Sequence, residues 1–499
     1  MFRLLQFEIL KHPFFTRQVF NFVGNDTNSV GPYITLLIGP NGTGKSQLLE
    51  TIVNIFNVIQ ASFEKGKMAQ KFDCEFYLKY SLNEDIIEIK YTKSEFLVLL
   101  NTNKAEIFNI PTPSKFLASA INLNDRFPFF TSRSKVKNSK YVYLGIRTAS
   151  NNAFKNNNAL IDRLSTSLFD RSNLAKYKNI FNLLSLKEEL TILYKAGRNL
   201  IIKNEKDLLS FQNPILLNEK FQKIIDNIEP GSRFSIRRDK YSRILNQFSN
   251  IELVSNFLTE LFPTFSDFTR NFQYNSSIKF NDKNRIEAFL EEISVLKVMR
   301  DLELLNVEKL LLHRKSTKYA FDNASSGEHH ILSGFINIIS TIEDSSLILI
   351  DEPEISLHPN WQIQYMNLLQ STFKNYKNCH FIISTHSHFL VSDLQPENSS
   401  IISFQLNDEG YISNQTLDFE TFGWSTENIL YRVFGVSSVR NYYLEMDLRE
   451  LLSKVSTGSN EFARMREIIQ SLKRFDLSPD DPLSSIINTA EEYLKKNGN

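Results

Sequence analysis

Apolar and polar positions alternate along the start of the chain in FRLLQFEIL, QVFNFVG and YITLLIG, with Gly24-Asn25-Asp26 and Gly31-Pro32 between the runs. A period of two punctuated by turn residues predicts three strands. The third run passes straight into GPNGTGKSQLLETIVNIF, a glycine-rich turn opening into a helix with Leu48, Leu49, Ile52 and Ile55 on one face. CEFYLKYSL, DIIEIKYTK and FLVLLNT then alternate again, predicting an antiparallel layer beside a parallel core, and KYVYLGIRT closes this lobe near residue 149. From 150 to 320 the apolar spacing turns helical, with Pro214, Pro230 and Pro263 as punctuation, and predicts a compact helical insertion. Residues 321–405 return to strand and helix in turn: EHHILSGFINIISTIED, SLILIDEP, NWQIQYMNLLQSTFKNY and CHFIISTHS. That order predicts a parallel α/β sheet. Residues 406–499 read as a mostly helical C-terminal region, a candidate partner or oligomer interface.

At 499 residues the chain exceeds one ordinary core, and 42% apolar with 23% charged residues is the balance of a soluble globular protein. No run approaches the roughly 20 apolar residues of a membrane helix. The N-terminus lacks a signal-peptide pattern, so a cytoplasmic protein without a membrane partner is expected. Cys74 and Cys379 stand in unrelated contexts, which excludes a disulfide framework and a zinc spacing. A net charge of +1 demands no nucleic acid globally. Two basic clusters, Arg133, Lys135, Lys137, Lys140 and Arg147, then Arg233, Arg237, Arg238, Lys240 and Arg243, are either phosphate-binding faces or solvated surface.

Gly39-Pro40-Asn41-Gly42-Thr43-Gly44-Lys45-Ser46 fits GxxxxGK(S/T) between a buried strand and a helix. Backbone N–H groups there wrap phosphate oxygens, Lys45 reaches the β- and γ-phosphates, and the Ser46 hydroxyl ligates magnesium. Gly39, Asn41, Gly42, Gly44, Lys45, Ser46 and Gln47 are therefore the expected ATP-binding set. The apolar run ending in Asp351-Glu352-Pro353 delivers Asp351 to the metal and Glu352 to the attacking water. His386, at the end of a third apolar strand, is placed to hold the γ-phosphate and that water. His380 and His388 read as bystanders.

NASSGEHHIL, 323–332, lies 26 positions before Asp351 if counted from Ser325, and starts a helix. Ser325 and Ser326 stand where hydroxyls cap free N–H groups and the dipole favours anions. A helix start without its own phosphate loop reaches a γ-phosphate only on another subunit, so Ser325, Ser326, Gly327 and Glu328 predict a head-to-tail pair around ATP. His329 and His330 are sequence neighbours, which denies them the i, i+4 geometry of a helical metal site.

The order GPNGTGKS, ASSGE, LILIDEP, STHS resembles the ATP-binding-cassette ATPases of the structural-maintenance-of-chromosomes and RecF type. DEPEISLHPNW, Asp351 to Trp361, resembles the branch with OLD-type and PtuA-type defence ATPases. FETFGWSTENILYRVFGVSS, Phe419 to Ser438, is similar to the region after the ATPase core in PtuA-like proteins of Septu and retron-linked antiphage systems. The resemblance implies an α/β head with a mixed sheet, an antiparallel layer plus a parallel core, carrying a helical insertion and tail. It also implies ATP hydrolysis with Mg2+, a homodimer or higher homo-oligomer, and a separate HNH nuclease subunit (PtuB-like), with nucleic acid or retron RNA-DNA as a further partner. The eight histidines leave none between His12 and His313 or after His388, so a nuclease centre is not expected in the insertion or tail. Ala324, Ser326 and Glu328 depart from the LSGGQ pattern, and Leu357-His358 replaces Leu-Asp. No glutamine marks the loop that links metal to insertion; Asn122 or Asn124 is the candidate substitute. A RecF-like repair ATPase without a nuclease partner is the alternative. A transporter ATPase fits less well, because 280 residues separate Lys45 from Ser325.

Overall fold

The structure is a computed structural model that describes the chain except residues 25–30, 66–71, 123, 130–139, 146–156, 230–234, 269–271, 407–410, 418–420, 422, 425–427, 431–432, 435–441, 459–460, 474–481 and 498–499. It divides into two units, Met1–Phe422 and Gly423–Asn499.

The first unit is built on a seven-stranded sheet ordered Ile412–Thr416, Ser399–Leu406, Tyr33–Ile38, His380–Ser384, Leu347–Asp351, Phe116–Ala120, Tyr141–Tyr143. Every neighbouring pair is parallel except the edge pair Ser399–Leu406 with Ile412–Thr416. Tyr33–Ile38, Leu347–Asp351 and His380–Ser384 are buried along their whole length, as strands covered on both faces must be. Beside this core lies a six-stranded antiparallel sheet ordered Gln18–Asn21, Phe2–Lys11, Glu75–Leu82, Asp85–Thr92, Glu95–Leu100, Asn103–Lys104. The helix Lys45–Lys65 packs into both layers. Phe56 stacks on Phe116 of the parallel sheet at 5.1 Å and meets Phe2 and Tyr80 of the antiparallel sheet at 6.2 and 5.6 Å. The mixed α/β head expected from the alternation is present.

Two boundaries differ from expectation. The insertion contains helices, among them Asn173–Leu183, Pro214–Asp226, Phe248–Leu261 and Lys283–Asp301, but also an antiparallel sheet. Its order is Gln273–Lys279, Glu189–Ala196, Leu305–His313, Lys318–Ala320. The helical reading of 150–320 is therefore corrected to α+β. ELTILYKA follows a helix without a proline or glycine break, so its period of two was absorbed into the helical one. The head also runs past residue 405, because Ile412–Thr416 pairs with Ser399–Leu406 and widens the sheet.

The second unit holds the helices Tyr442–Ser456, Phe462–Leu472 and Pro482–Asn497 around Leu448, Leu451, Met465, Ile468, Leu472 and Ile487. The segment Phe419 to Ser438 lies mostly outside the described residues. Among the described residues no helix is long and apolar enough to cross a membrane.

Of the basic clusters, Arg133, Lys135, Lys137, Arg147 and Arg233 lie outside the described residues. Lys140 donates to Thr112 Oγ1 at 2.8 Å. Arg237 pairs with Glu303 at 2.7 Å and Lys240 with Asp301 at 2.6 Å. Those two cations brace the insertion, which leaves Arg238 and Arg243 as the remaining cations of the described cluster.

Candidate nucleotide site

Register brings the site together. Asp351 stands level with Ser384 on one side and Ala120 on the other, and Ser384 is level with Leu37, two residues before Gly39. The phosphate loop, the acidic strand end, the His386 turn and the loop after Ala120 thus share the C-terminal edge of a parallel sheet, where such sheets bind ligands.

The loop needs its glycines. Gly39 sits at φ +140°, and a Cβ there would lie 2.4 Å from the Phe404 carbonyl oxygen. Gly44, at φ +87°, would drive a Cβ to 2.6 Å from the rings of Phe14 and Phe15. Asn41 and Gly42 are exposed at the loop tip, and Thr43 Oγ1 ties back to the Pro40 carbonyl at 2.8 Å. Lys45 is buried, and its Nζ donates to the carbonyls of Gly39 and Pro40 at 2.8 and 3.0 Å. Burial pushes its pKa down to about 8, against the fields of Glu352, Asp351 and Glu354.

Ser46 Oγ donates to Asp351 Oδ1 at 2.9 Å, and Ser384 Oγ donates to the same oxygen. Burial raises the Asp351 carboxyl against those two hydrogen bonds. A hydroxyl and a carboxylate form a hard oxygen donor pair that suits Mg2+. Glu352 holds the left-handed conformation, φ +50°, and its Oε1 lies 3.4 Å from His386 Nε2. The hydrogen bond from His386 lowers the Glu352 pKa. The buried Lys45 ammonium and this oxygen pair fit a magnesium triphosphate.

Several contacts escaped the sequence. Glu354 Oε1 accepts the His386 backbone N–H at 2.6 Å, and burial raises its pKa against the hydrogen bonds it accepts. The loop after Ala120 turns at Asn122, whose Oδ1 accepts Asn124 N at 3.0 Å. The residue that reaches the phosphate-loop helix from there is Arg126, donating to Gln47 Oε1 at 2.8 Å. His358 caps the helix Pro359–Phe373 through Asn360 N at 3.3 Å.

The helix Ser326–Ile339 begins with a capping box: Glu328 N donates to Ser325 Oγ at 3.2 Å and Ser325 N to Glu328 Oε2 at 2.8 Å. Ser325 and Ser326 are exposed, whereas Gly327 and Glu328 are buried. A Cβ on Gly327 would meet the Ser356 carbonyl and the Trp361 ring, both at 2.9 Å. Glu328 also accepts from Arg314 and Tyr319 of its own chain. His329 stacks on Phe321 at 4.0 Å, and His330 Nδ1 meets the Ile355 carbonyl at 3.0 Å.

Residues 25–391 match the family model of the AAA ATPase domain. The chain belongs to that family. Relatives of this AAA ATPase include "Retron Vc95 probable ATPase" of Vibrio cholerae serotype O1 biovar El Tor, 20% identical over 74% of this chain and 68% of that protein. Another is "Retron Ec83 probable ATPase" of Escherichia coli, 22% identical over 73% of this chain and 66% of that protein. The chain thus spans about two thirds of the length of these curated relatives. Among solved structures, the Smc head domain with an extended coiled coil from Pyrococcus furiosus, bound to the C-terminal domain of ScpA, aligns over 84% of this chain and 96% of its own. The identity is 13% and the TM-score 0.36.

Proposed function

We propose that this AAA ATPase binds ATP with Mg2+, closes as a pair around it, hydrolyses it, and acts as sensor and scaffold for an associated HNH nuclease in antiphage defence. Within the site, Lys45 and the loop N–H groups would hold the phosphates, and Ser46 and Asp351 would hold the metal. The bound metal would neutralise phosphate charge as it develops. Glu352, kept ionised by His386, accepts a proton from the attacking water, and His386 holds that water in line.

The observation that carries the pairing is a division within one chain. The sheet edge supplies a phosphate loop, a metal pair and a base, while a second helix start presents Ser325 and Ser326 at the surface without a phosphate loop. Ser325 Oγ accepts within its capping box, which leaves its proton free for an acceptor such as the γ-phosphate of another subunit. The retron in the names of two relatives supports a place in such a system. The nuclease partner rests on the PtuA-like resemblance.

Glu352→Gln should retain ATP and accumulate as a closed pair in sedimentation velocity. If it stays monomeric with saturating ATP, the pairing is wrong. Co-purification of an HNH protein with the tagged chain from its native host tests the partner. Salt-dependent duplex binding without any such protein would favour the RecF-like alternative, although two cations of the described basic cluster are already spent in ion pairs.

A further inference from the structure

A carboxylate in the first turn of a helix suits that helix alone and opposes an incoming anion. Glu328 is such a group: 4% exposed, in the first turn of the helix whose serines would receive a partner's γ-phosphate. Its two oxygens divide their work. Oε2 closes the capping box on Ser325 N, whereas Oε1 accepts Arg314 Nη2 at 2.5 Å and the Tyr319 hydroxyl at 2.7 Å.

Both donors come from the insertion. Arg314 follows the strand Leu305–His313, and its N–H closes the turn onto the Thr317 carbonyl at 2.8 Å. Tyr319 lies in the return strand Lys318–Ala320, with its ring 5.5 Å from the Arg314 guanidinium. The strand Leu305–His313 is anchored at that end, where the buried His313 lies 2.9 Å from Thr191 Oγ1 of the neighbouring strand. The hairpin is therefore a fixed arm that ends on the capping box.

We propose that Arg314 is a positioning and charge-compensating residue for the ATP-dependent pair: it neutralises Glu328 so that the Ser325 end accepts a partner's phosphate, and it couples the insertion to that end. Without Arg314, the helix would offer the incoming triphosphate a carboxylate with no counter-charge. Repulsion by a partly buried charge at this range is screened less than between surface groups. Binding of ATP to a single subunit involves neither residue. The inference rests on the paired reading above.

The test uses the full chain in the Glu352→Gln background and follows pairing by sedimentation at fixed ATP. Arg314 is half-exposed, so Arg314→Ala leaves the core intact. It should raise the protein concentration for half-pairing about tenfold, with fluorescent ATP-analogue binding to the monomer unchanged. Adding Glu328→Gln removes the uncompensated charge and keeps an amide that still closes the capping box. That double variant should pair within about twofold of the background, a restoration that a purely structural brace would not show. Undiminished pairing in Arg314→Ala, or no recovery in the double variant, overturns the inference while leaving the paired reading standing. If the Glu352→Gln background itself fails to pair with ATP, the paired reading falls and takes the inference with it.

Discussion

Two helices of this chain start on glycine- and serine-bearing turns, and their electrostatics are opposite. The helix Lys45–Lys65 has no acid in its first turn, stores a buried ammonium there, and is preceded by a loop held open by Gly39 and Gly44. The helix Ser326–Ile339 has a buried acid in its first turn, and the compensating cation reaches it from a different element. One start is a complete anion receptor. The other has spent part of its capacity on its own carboxylate, so it suits a phosphate that arrives already held and neutralised elsewhere. A helix N-terminus is thus an insufficient description of a phosphate site; the charge within the first turn decides its use.

The largest effects should fall on the complete receptor. Lys45→Ala removes the buried cation that faces Asp351, Glu352 and Glu354, and turnover should fall by about 10³-fold with ATP binding lost in calorimetry. An unchanged ATPase rate would overturn the site. Ser325→Ala at the second start should instead leave monomer binding intact and reduce turnover by roughly 10–10²-fold, through pairing. Loss of monomer ATP binding in Ser325→Ala would erase the contrast between the two starts.

Next in size is Glu354, which sharpens what holds the first site together. Glu354→Ala frees the His386 backbone N–H, so His386 loses its position beside Glu352. We expect kcat down about tenfold with KM nearly unchanged, and recovery in Glu354→Gln, whose amide oxygen still accepts that N–H. A rise in KM without a change in kcat would show that Glu354 serves binding instead.

The complete receptor was legible because its chemistry is short-range: eight consecutive residues carry the loop, and an apolar run announces each strand that leads to Asp351 or His386. The second start was legible only in part. Ser325-x-x-Glu328 is a capping-box pattern, which marks the helix start but not the contacts of Glu328 with Arg314 and Tyr319. Those two contacts depend on the antiparallel sheet of the insertion, hidden where LSLKEELTILYKAG continues a helix without a break. Glu354 has no such announcement: it stands three residues beyond Asp351, and only the turn after the strand returns it to the same edge.

The smallest predicted effect also separates the two starts. His329 and His330 follow the capping box, and burial lowers the pKa of each. The unfolded chain binds protons on these rings as pH falls through about 6.5, while the folded chain resists doing so. Stability from this source is therefore full above pH 6.5 and declines below it, by at most about 1.4 kcal/mol per pH unit for each ring. His12, His313, His380 and His388 are lowered in the same direction and remain in every variant. A His329→Gln/His330→Gln protein, compared with wild type by urea unfolding at pH 7.5 and 5.5, should lose less stability across that interval. Equal losses would mean that the rings protonate in place, and that the packing of His329 on Phe321 and of His330 against the Ile355 carbonyl does not hold the helix Ser326–Ile339 against acid.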